Sequence, residues 1–258
     1  MPDLTKEKPN SAGVSGTRPA GTADERAAAQ TVQHMFDQIA PRYDIANHVL
    51  SMNIDRLWWR RTARTFAHIL GRSDARVLDL CAGTGDMSVA LRVAAEKARS
   101  TPDIYALDFS HAMLQHGMSK YPVQNIQPVE ADALRLPLPD SALDLVTSAF
   151  GFRNLANYDA GLSEICRVLK PGGELGILDF GEPGGLIGKF YRFYFRKVLP
   201  RIGTLISGVS GPYDYLPASV ERFPSPQQML DRMRSAGFHD VNWTPYSFGI
   251  VGLYRGKK

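Results

Sequence analysis

Residues 77–86 read VLDLCAGTGD, and this short stretch restricts the fold more than any other. An apolar run ends in a Gly-rich turn, and an amphipathic segment follows through Ala98. Strands of a parallel sheet are buried on both faces and so read as near-continuous apolar runs. The change of period at the turn marks a strand followed by a helix start. Gly83 and Gly85 let the backbone turn sharply and pass close to a ligand. Asp79 falls at the carboxyl end of the strand, where ligands of open α/β sheets bind.

Three arrangements use such a turn. One is a plain βα connection whose glycines serve geometry alone. Another is the dinucleotide turn G-x-G-x-x-G, but Ser88 stands at its third glycine position. The last is an S-adenosylmethionine site, in which an acidic residue a few positions before the first glycine meets the cofactor's cationic amino group. Asp79 stands so before Gly83. A diphosphate would gain nothing from a carboxylate there.

The rest of the chain repeats the theme. Strands are expected near 75–81, 103–108, 126–131, 143–150 and 173–180, with helical segments between them. Such alternation implies a doubly wound α/β fold. Two further strands near 238–247 and 249–255 are close enough for a hairpin at Ser247-Phe248-Gly249. The second strand ends in Asp108, roughly twenty residues past the glycine turn, where a carboxylate can accept from ribose hydroxyls. The third is followed by Asp132 and the small Ala133, suited to an adenine edge. Strand-end acids often only cap helices. Three at the ends of successive strands, Asp79, Asp108 and Asp132, would ring one crevice.

Ahead of the first strand, residues 28–70 form a helical piece. Val32, Met35, Phe36 and Ile39 give one apolar face, Pro41 interrupts, and a second helix begins near Asp55 with Leu57, Trp58 and Trp59. This piece could cap a ligand; Trp59 reads more simply as packing. Residues 1–27 hold few large apolar side chains and are expected to be disordered. With 258 residues and 44% apolar content, the remainder, 28–258, suits a single domain with a full core. Charge is modest at +4, which speaks for no nucleic-acid partner. Cys81 and Cys166 have neither disulfide-framework nor metal-ligand spacing, so no metal and a reducing, cytoplasmic compartment are expected. No apolar run reaches the ~20 residues of a membrane span. Between residues 184 and 224 lies an aromatic, Gly- and Pro-containing insertion. Its 186–201 part, with Lys189, Arg192, Arg196, Lys197 and Arg201 among aromatics, suits either peripheral contact with a membrane or a core helix with solvated charges.

These motifs together resemble the class I S-adenosylmethionine-dependent methyltransferases, and more closely the family that C-methylates ubiquinone and menaquinone precursors. VLDLCAGTGD, ALDFS around Asp108, ADAL at 131–134 and LKPGG at 169–173 belong to the general class. FDQIAPRYDIANHVLS at 36–51, FGFRN at 150–154 and VLPRIG at 198–203, with Tyr213 and Tyr215 beyond it, belong to the narrower family. The resemblance covers residues 32 to 255. It implies a Rossmann-like, mostly parallel seven-stranded sheet with an antiparallel C-terminal strand pair and an N-terminal helical cap. It implies Asp79, Gly83, Thr84, Gly85, Asp108, Asp132 and Ala133 as cofactor residues, and Tyr43 and Asn47 as substrate residues. The substrate would be a polyprenyl quinol, methylated on a ring carbon; a homodimer is compatible with this. Ala46, Asp55, Asp179 and Gly181 stand where the family usually has Met, His, Glu and Ser, and Ala149 where some members have Ser.

Carbon methylation of a phenol is helped by ionising it. Arg153 is the expected stabiliser of the quinolate, with Asn154 orienting a hydroxyl; a structural ion pair with a strand-end acid is the competing role for Arg153. His34, His48 and Asp44 are the groups considered for proton transfer or orientation. Other readings are methylation of another phenolic or lipid acceptor, and S-adenosylmethionine binding without catalysis.

Overall fold

A computed structural model describes residues 15–43, 51, 53–122, 124–181, 183–184, 188 and 212–258. The expected strands are present: β1 (Arg76–Leu80), β2 (Asp103–Asp108), β3 (Ile126–Glu130), β4 (Leu143–Ala149), β5 (Leu169–Phe180), β6 (His239–Tyr246) and β7 (Val251–Lys257). They form one seven-stranded sheet in the order β3-β2-β1-β4-β5-β7-β6. The first five are parallel. β7 runs antiparallel to both β5 and β6. β4 is buried from Leu143 through Ser148, as a strand covered on both faces requires. β5 begins earlier than its apolar pattern shows. Leu143 pairs with Leu169 and Leu145 with Glu174, so LKPGG is absorbed as an irregularity inside the strand pairing.

Helices cover both faces. α1 (Glu25–Ile39) starts where Asp24 accepts a hydrogen bond from the Ala27 N–H. α2 (Asp55–Thr65) and α3 (Asp86–Lys97) share one core with the sheet, through Trp58, Ala63, Leu91 and Ala95 against Val77 and Leu145. α4 (His111–Gly117) follows β2 with Ser110 as its cap. On the other face α5 (Tyr158–Val168) and α7 (Pro226–Ser235) pack with Leu78, Val146 and Leu175. α6 (Pro212–Arg222) precedes α7. The helical front piece thus divides: α2 belongs mainly to the sheet core, and α1 runs along the carboxyl edge.

The expectation of disorder through residue 27 fails for its second half. The Thr17 N–H donates to the Leu155 carbonyl at 2.8 Å, the Tyr158 N–H donates to the Ser15 carbonyl, and Arg18 donates to the Ala156 carbonyl. Small residues without an apolar pattern can be ordered by hydrogen bonds to a distant part of the chain, which composition does not register. Residues 1–14, the segment 44–50 with Asp44, Asn47 and His48, and the basic stretch 186–201 apart from residue 188 lie outside the described residues.

Candidate cofactor and acceptor cleft

In an open sheet the crevice forms where successive crossovers leave in opposite directions. Here that point lies between β1 and β4, the two neighbours at the centre of the strand order. A cleft of about 550 Å³ opens at the carboxyl ends of these strands. That is within the usual size of a small-molecule site. Asp79, Gly83, Thr84, Asp108, Asp132 and Ala133 all line it.

Asp79 is fully buried and accepts hydrogen bonds from Ser88 Oγ (2.6 Å) and Thr147 Oγ1 (3.1 Å). Burial pushes its carboxyl up to about 7, and the nearby Asp108 adds to the shift. A group held this way favours a cation as its partner, because a positive charge repays the desolvation of the carboxylate. Ser88, the residue that breaks the dinucleotide pattern, is one of the two groups that hold this acid. Asp108 accepts from the Gly83 N–H at 2.8 Å and the Ser110 N–H at 2.9 Å. Burial raises it to about 6. A carboxylate has about four lone-pair sites, so capacity remains for two hydroxyl donors. Asp132 is exposed on the cleft rim and accepts from the Leu134 N–H.

Gly85 does not line the cleft. It sits at φ +87 before α3, and a Cβ there would lie 2.2 Å from the Tyr121 ring. Tyr121 in turn donates its hydroxyl to the Gly83 carbonyl at 2.8 Å. Gly85 is therefore needed for the close approach of Tyr121, and it shapes the turn from behind. Cys81, on the cleft wall, has its thiol pushed well up by burial and by the surrounding carboxylates, so it is inert as a nucleophile.

α1 closes the cofactor side. Gln33 Nε2 donates to the Phe109 carbonyl at 2.7 Å, and Ser110 Oγ donates to Asp37 at 2.6 Å. Glu25, Arg26, Gln30 and Phe36 face the cleft from this helix. None was singled out as a site residue, since an amphipathic helix shows which face is apolar but not what its polar shoulder overlooks. His34 is exposed and does not line the cleft.

The acceptor side is aromatic. Tyr43, Phe36, Trp59 and Phe150 line it with Asn154. Trp59 serves both expected roles, since it is buried in the α2 core and reaches the cleft wall. FGFRN forms the turn after β4, with a short 3-10 turn at Phe152–Asn154. A Cβ on Gly151 would lie 2.3 Å from the Cys81 Cβ, so only glycine lets this turn close on β1. Arg153 itself is 5% exposed and does not line the cleft. Its Nη1 pairs with Asp179 at 2.9 Å and also donates to the Phe150 carbonyl, and its N–H donates to Asp179. The expected direct contact between this guanidinium and a quinolate is thus not what the structure shows. Asp179, at the end of β5, occupies the charge. The ion pair holds the turn that presents Asn154.

Asn154 is oriented by residues far apart in the chain. Tyr215 of α6 donates its hydroxyl to Asn154 Oδ1 at 3.1 Å, and Thr17 Oγ1 lies 2.7 Å from the same hydroxyl. With the phenolic proton committed to Asn154, Thr17 must donate to Tyr215. Asn154 Oδ1 is then occupied, and its Nδ2 is the end available to a cleft oxygen. Tyr215→Phe should lower kcat/KM for the acceptor about fivefold, the worth of one hydrogen bond, without changing cofactor affinity. Thr17→Val should do the same, less strongly. Equal loss on both substrates would mean that the contact only supports folding.

Three strand-end acids, a glycine turn below them and a helical lid define a class I S-adenosylmethionine-dependent methyltransferase. Residues 24–258 match the ubiE/COQ5 methyltransferase family, and the chain belongs to that family. It is 46% identical over 238 residues to a demethylmenaquinone methyltransferase of Deinococcus radiodurans, covering 91% of this chain and 95% of that one. It is 42% identical to the ubiquinone/menaquinone biosynthesis C-methyltransferase UbiE of Geobacter sulfurreducens, covering 89% of each. A solved S-adenosylmethionine-dependent methyltransferase of Thermotoga maritima, described as a possible histamine N-methyltransferase, superposes with a TM-score of 0.61 at 19% identity, over 88% of this chain and 99% of that one. That likeness is one of fold.

The buried acids fit this cofactor. Asp79 would partner its ammonium, Asp108 and the rim acid Asp132 would offer acceptors to its hydroxyls and adenine edge, and the Gly83–Thr84 turn lines the space between them. Among the described residues no helix is long and apolar enough to cross a membrane, and no cluster has the makings of a metal site.

Proposed function

We propose that this enzyme methylates a ring carbon of a polyprenyl quinol: demethylmenaquinol to menaquinol, the corresponding methoxy-polyprenyl-benzoquinol step of ubiquinone synthesis, or both. The observation that supports this most is the acceptor wall. An oriented asparagine amide lies in the same cleft as the cofactor acids, surrounded by aromatic rings that suit a planar ring. The named functions of the relatives point the same way.

S-adenosylmethionine, when bound, supplies an electrophilic methyl group. The chain's own part is to hold a ring beside it and keep water out. A phenol of pKa about 10 costs about 4 kcal/mol to ionise at pH 7. The Asn154 Nδ2–H group, donating to the ring oxygen, supplies about 1.5–3 kcal/mol toward that charge. Arg153 contributes less than a free cation would, because Asp179 neutralises most of its field. We assign it the positioning of Asn154. Tyr43, edge-on to Phe36 at 6.0 Å, completes the wall against the ring.

Transfer of labelled methyl groups to demethylmenaquinol and to a demethylated ubiquinol precursor, run side by side, tests the reading. A ring-methylated product from at least one is expected. Cofactor binding with no transfer to either would sink it and would favour a binding protein or a different acceptor.

A further inference from the structure

One surface beside the cleft has no part in the reaction described above. α2 exposes Arg56, Arg60, Arg61 and Arg64, while its acid, Asp55, is buried. None of these arginines forms an ion pair among the described residues. Between them Leu57 is 60% exposed. The next residue, Trp58, donates its indole N–H to Ser247 Oγ at 2.8 Å, and Arg61 lies over the Tyr246 ring at 4.0 Å. These two contacts fasten α2 to the tip of the β6–β7 hairpin.

Phe248 stands at that tip and is 79% exposed. Its backbone is left-handed, at φ +61 and ψ 20, and Ser247 before it is at φ +45. A bulky side chain is a true outlier in this region. Neither backbone preference nor packing accounts for an aromatic residue here. β5 pairs with β7 so that Phe180 faces Val251, which puts the tip at the same edge of the sheet as the cleft. Trp58 packs on Phe150 at 5.9 Å, and Phe150 on Phe180 at 4.8 Å. Phe150 lines the cleft, so the surface and the site share a wall.

We propose that α2 and the 247–249 tip dock the enzyme on an anionic lipid bilayer, with Phe248 and Leu57 entering the interface and Arg56, Arg60 and Arg64 meeting the headgroups. Two separate apolar protrusions flanked by cations with no ion pair among the described residues match a headgroup layer over an apolar interior. Single-stranded nucleic acid would use a row of stacking rings, and Phe248 is the one large exposed aromatic among the described residues. The surface stands on its own geometry. Its use, giving the cleft access to a lipid-tailed acceptor at the membrane, rests on the quinol reading.

Flotation of the full-length protein with phosphatidylcholine vesicles, with and without phosphatidylglycerol, tests the proposal. The wild type should float with the anionic vesicles only. Each arginine at such a surface is worth about fivefold in partitioning. The triple variant Arg56→Gln/Arg60→Gln/Arg64→Gln should therefore lose about 100-fold. Phe248→Asn, which suits the left-handed backbone, should lose several-fold. Both should methylate a short-chain, water-soluble quinol as the wild type does. Wild-type flotation by both variants overturns the proposal, as does a wild type that ignores anionic vesicles. A dimer that these substitutions dissociate would overturn it in favour of a second copy. Vesicle binding without methylation of any quinol leaves the surface standing and removes the substrate reading.

Discussion

Asp79→Asn is expected to weaken S-adenosylmethionine binding about 100-fold while leaving the fold intact. The substitution is isosteric, and the Ser88 and Thr147 hydroxyls can rotate to serve an amide. What is lost is a buried negative charge opposite a cationic ammonium, worth about 2–5 kcal/mol where both partners are desolvated. The same group makes binding pH-dependent. Without cofactor the Asp79 carboxyl titrates near 7 and Asp108 near 6. A bound cation lowers the Asp79 value, so binding releases a proton. Wild-type affinity should fall by up to about tenfold for each pH unit below that range. In the Asn variant most of this dependence should vanish. Stability should show the opposite sign. These carboxyls titrate higher in the fold than the usual aspartate value of about 3.9. The cofactor-free fold therefore holds more protons than the unfolded chain between about pH 4 and 7, and loses stability as pH rises through that window. Calorimetric titrations across this range would detect both effects. A flat affinity profile for the wild type would remove Asp79 from the ammonium site.

Arg153→Ala should cost about 3–5 kcal/mol of stability, because it leaves Asp179 buried with its charge unpaired. It should cut turnover far more than cofactor affinity, since the turn it holds faces the acceptor. Arg153→Met combined with Asp179→Leu removes both charges and should recover most of the stability. Turnover should stay low in the pair, because the hydrogen bonds that fix the Phe150–Asn154 turn are gone. Chemical denaturation together with separate kcat/KM values for cofactor and acceptor would check this. An Arg153→Ala protein as stable as the wild type would show that the pair is not buried. Equal losses toward cofactor and acceptor would show that the turn serves both.

The cofactor half of the site was largely legible in the sequence. Asp79 and Asp108 each end a recognisable apolar run, whereas Asp132 follows the edge strand β3, which reads IQPVE, so its place came from the strand–helix alternation around it. Gly85 is the exception. Its requirement comes from Tyr121, 36 residues later, and the spacing of the glycines holds no trace of that ring. The acceptor half was less legible. FGFRN pointed to the right turn, but Arg153 and Asn154 exchange their expected prominence once Asp179 is seen to neutralise the guanidinium. Residues 15–24 carry no such signal, because hydrogen bonds to Leu155, Ala156, Tyr158 and Tyr215, far along the chain, order them.

Local information explains this division. Hydrophobic period, turn residues and strand-end acids are written within a few neighbouring positions. The sequence by itself therefore determined the strand–helix alternation, the C-terminal hairpin, the three strand-end acids that line the cleft and the methyltransferase class. Tertiary structure alone decided that Asp179 takes the charge of Arg153, that Thr17 and Tyr215 set the amide of Asn154, that α1 roofs the cleft while α2 enters the core, and that an exposed phenylalanine stands at the hairpin tip that the arginine-rich α2 is fastened to. Each of these depends on residues brought together by the closure of the sheet, and no pattern within one segment records them.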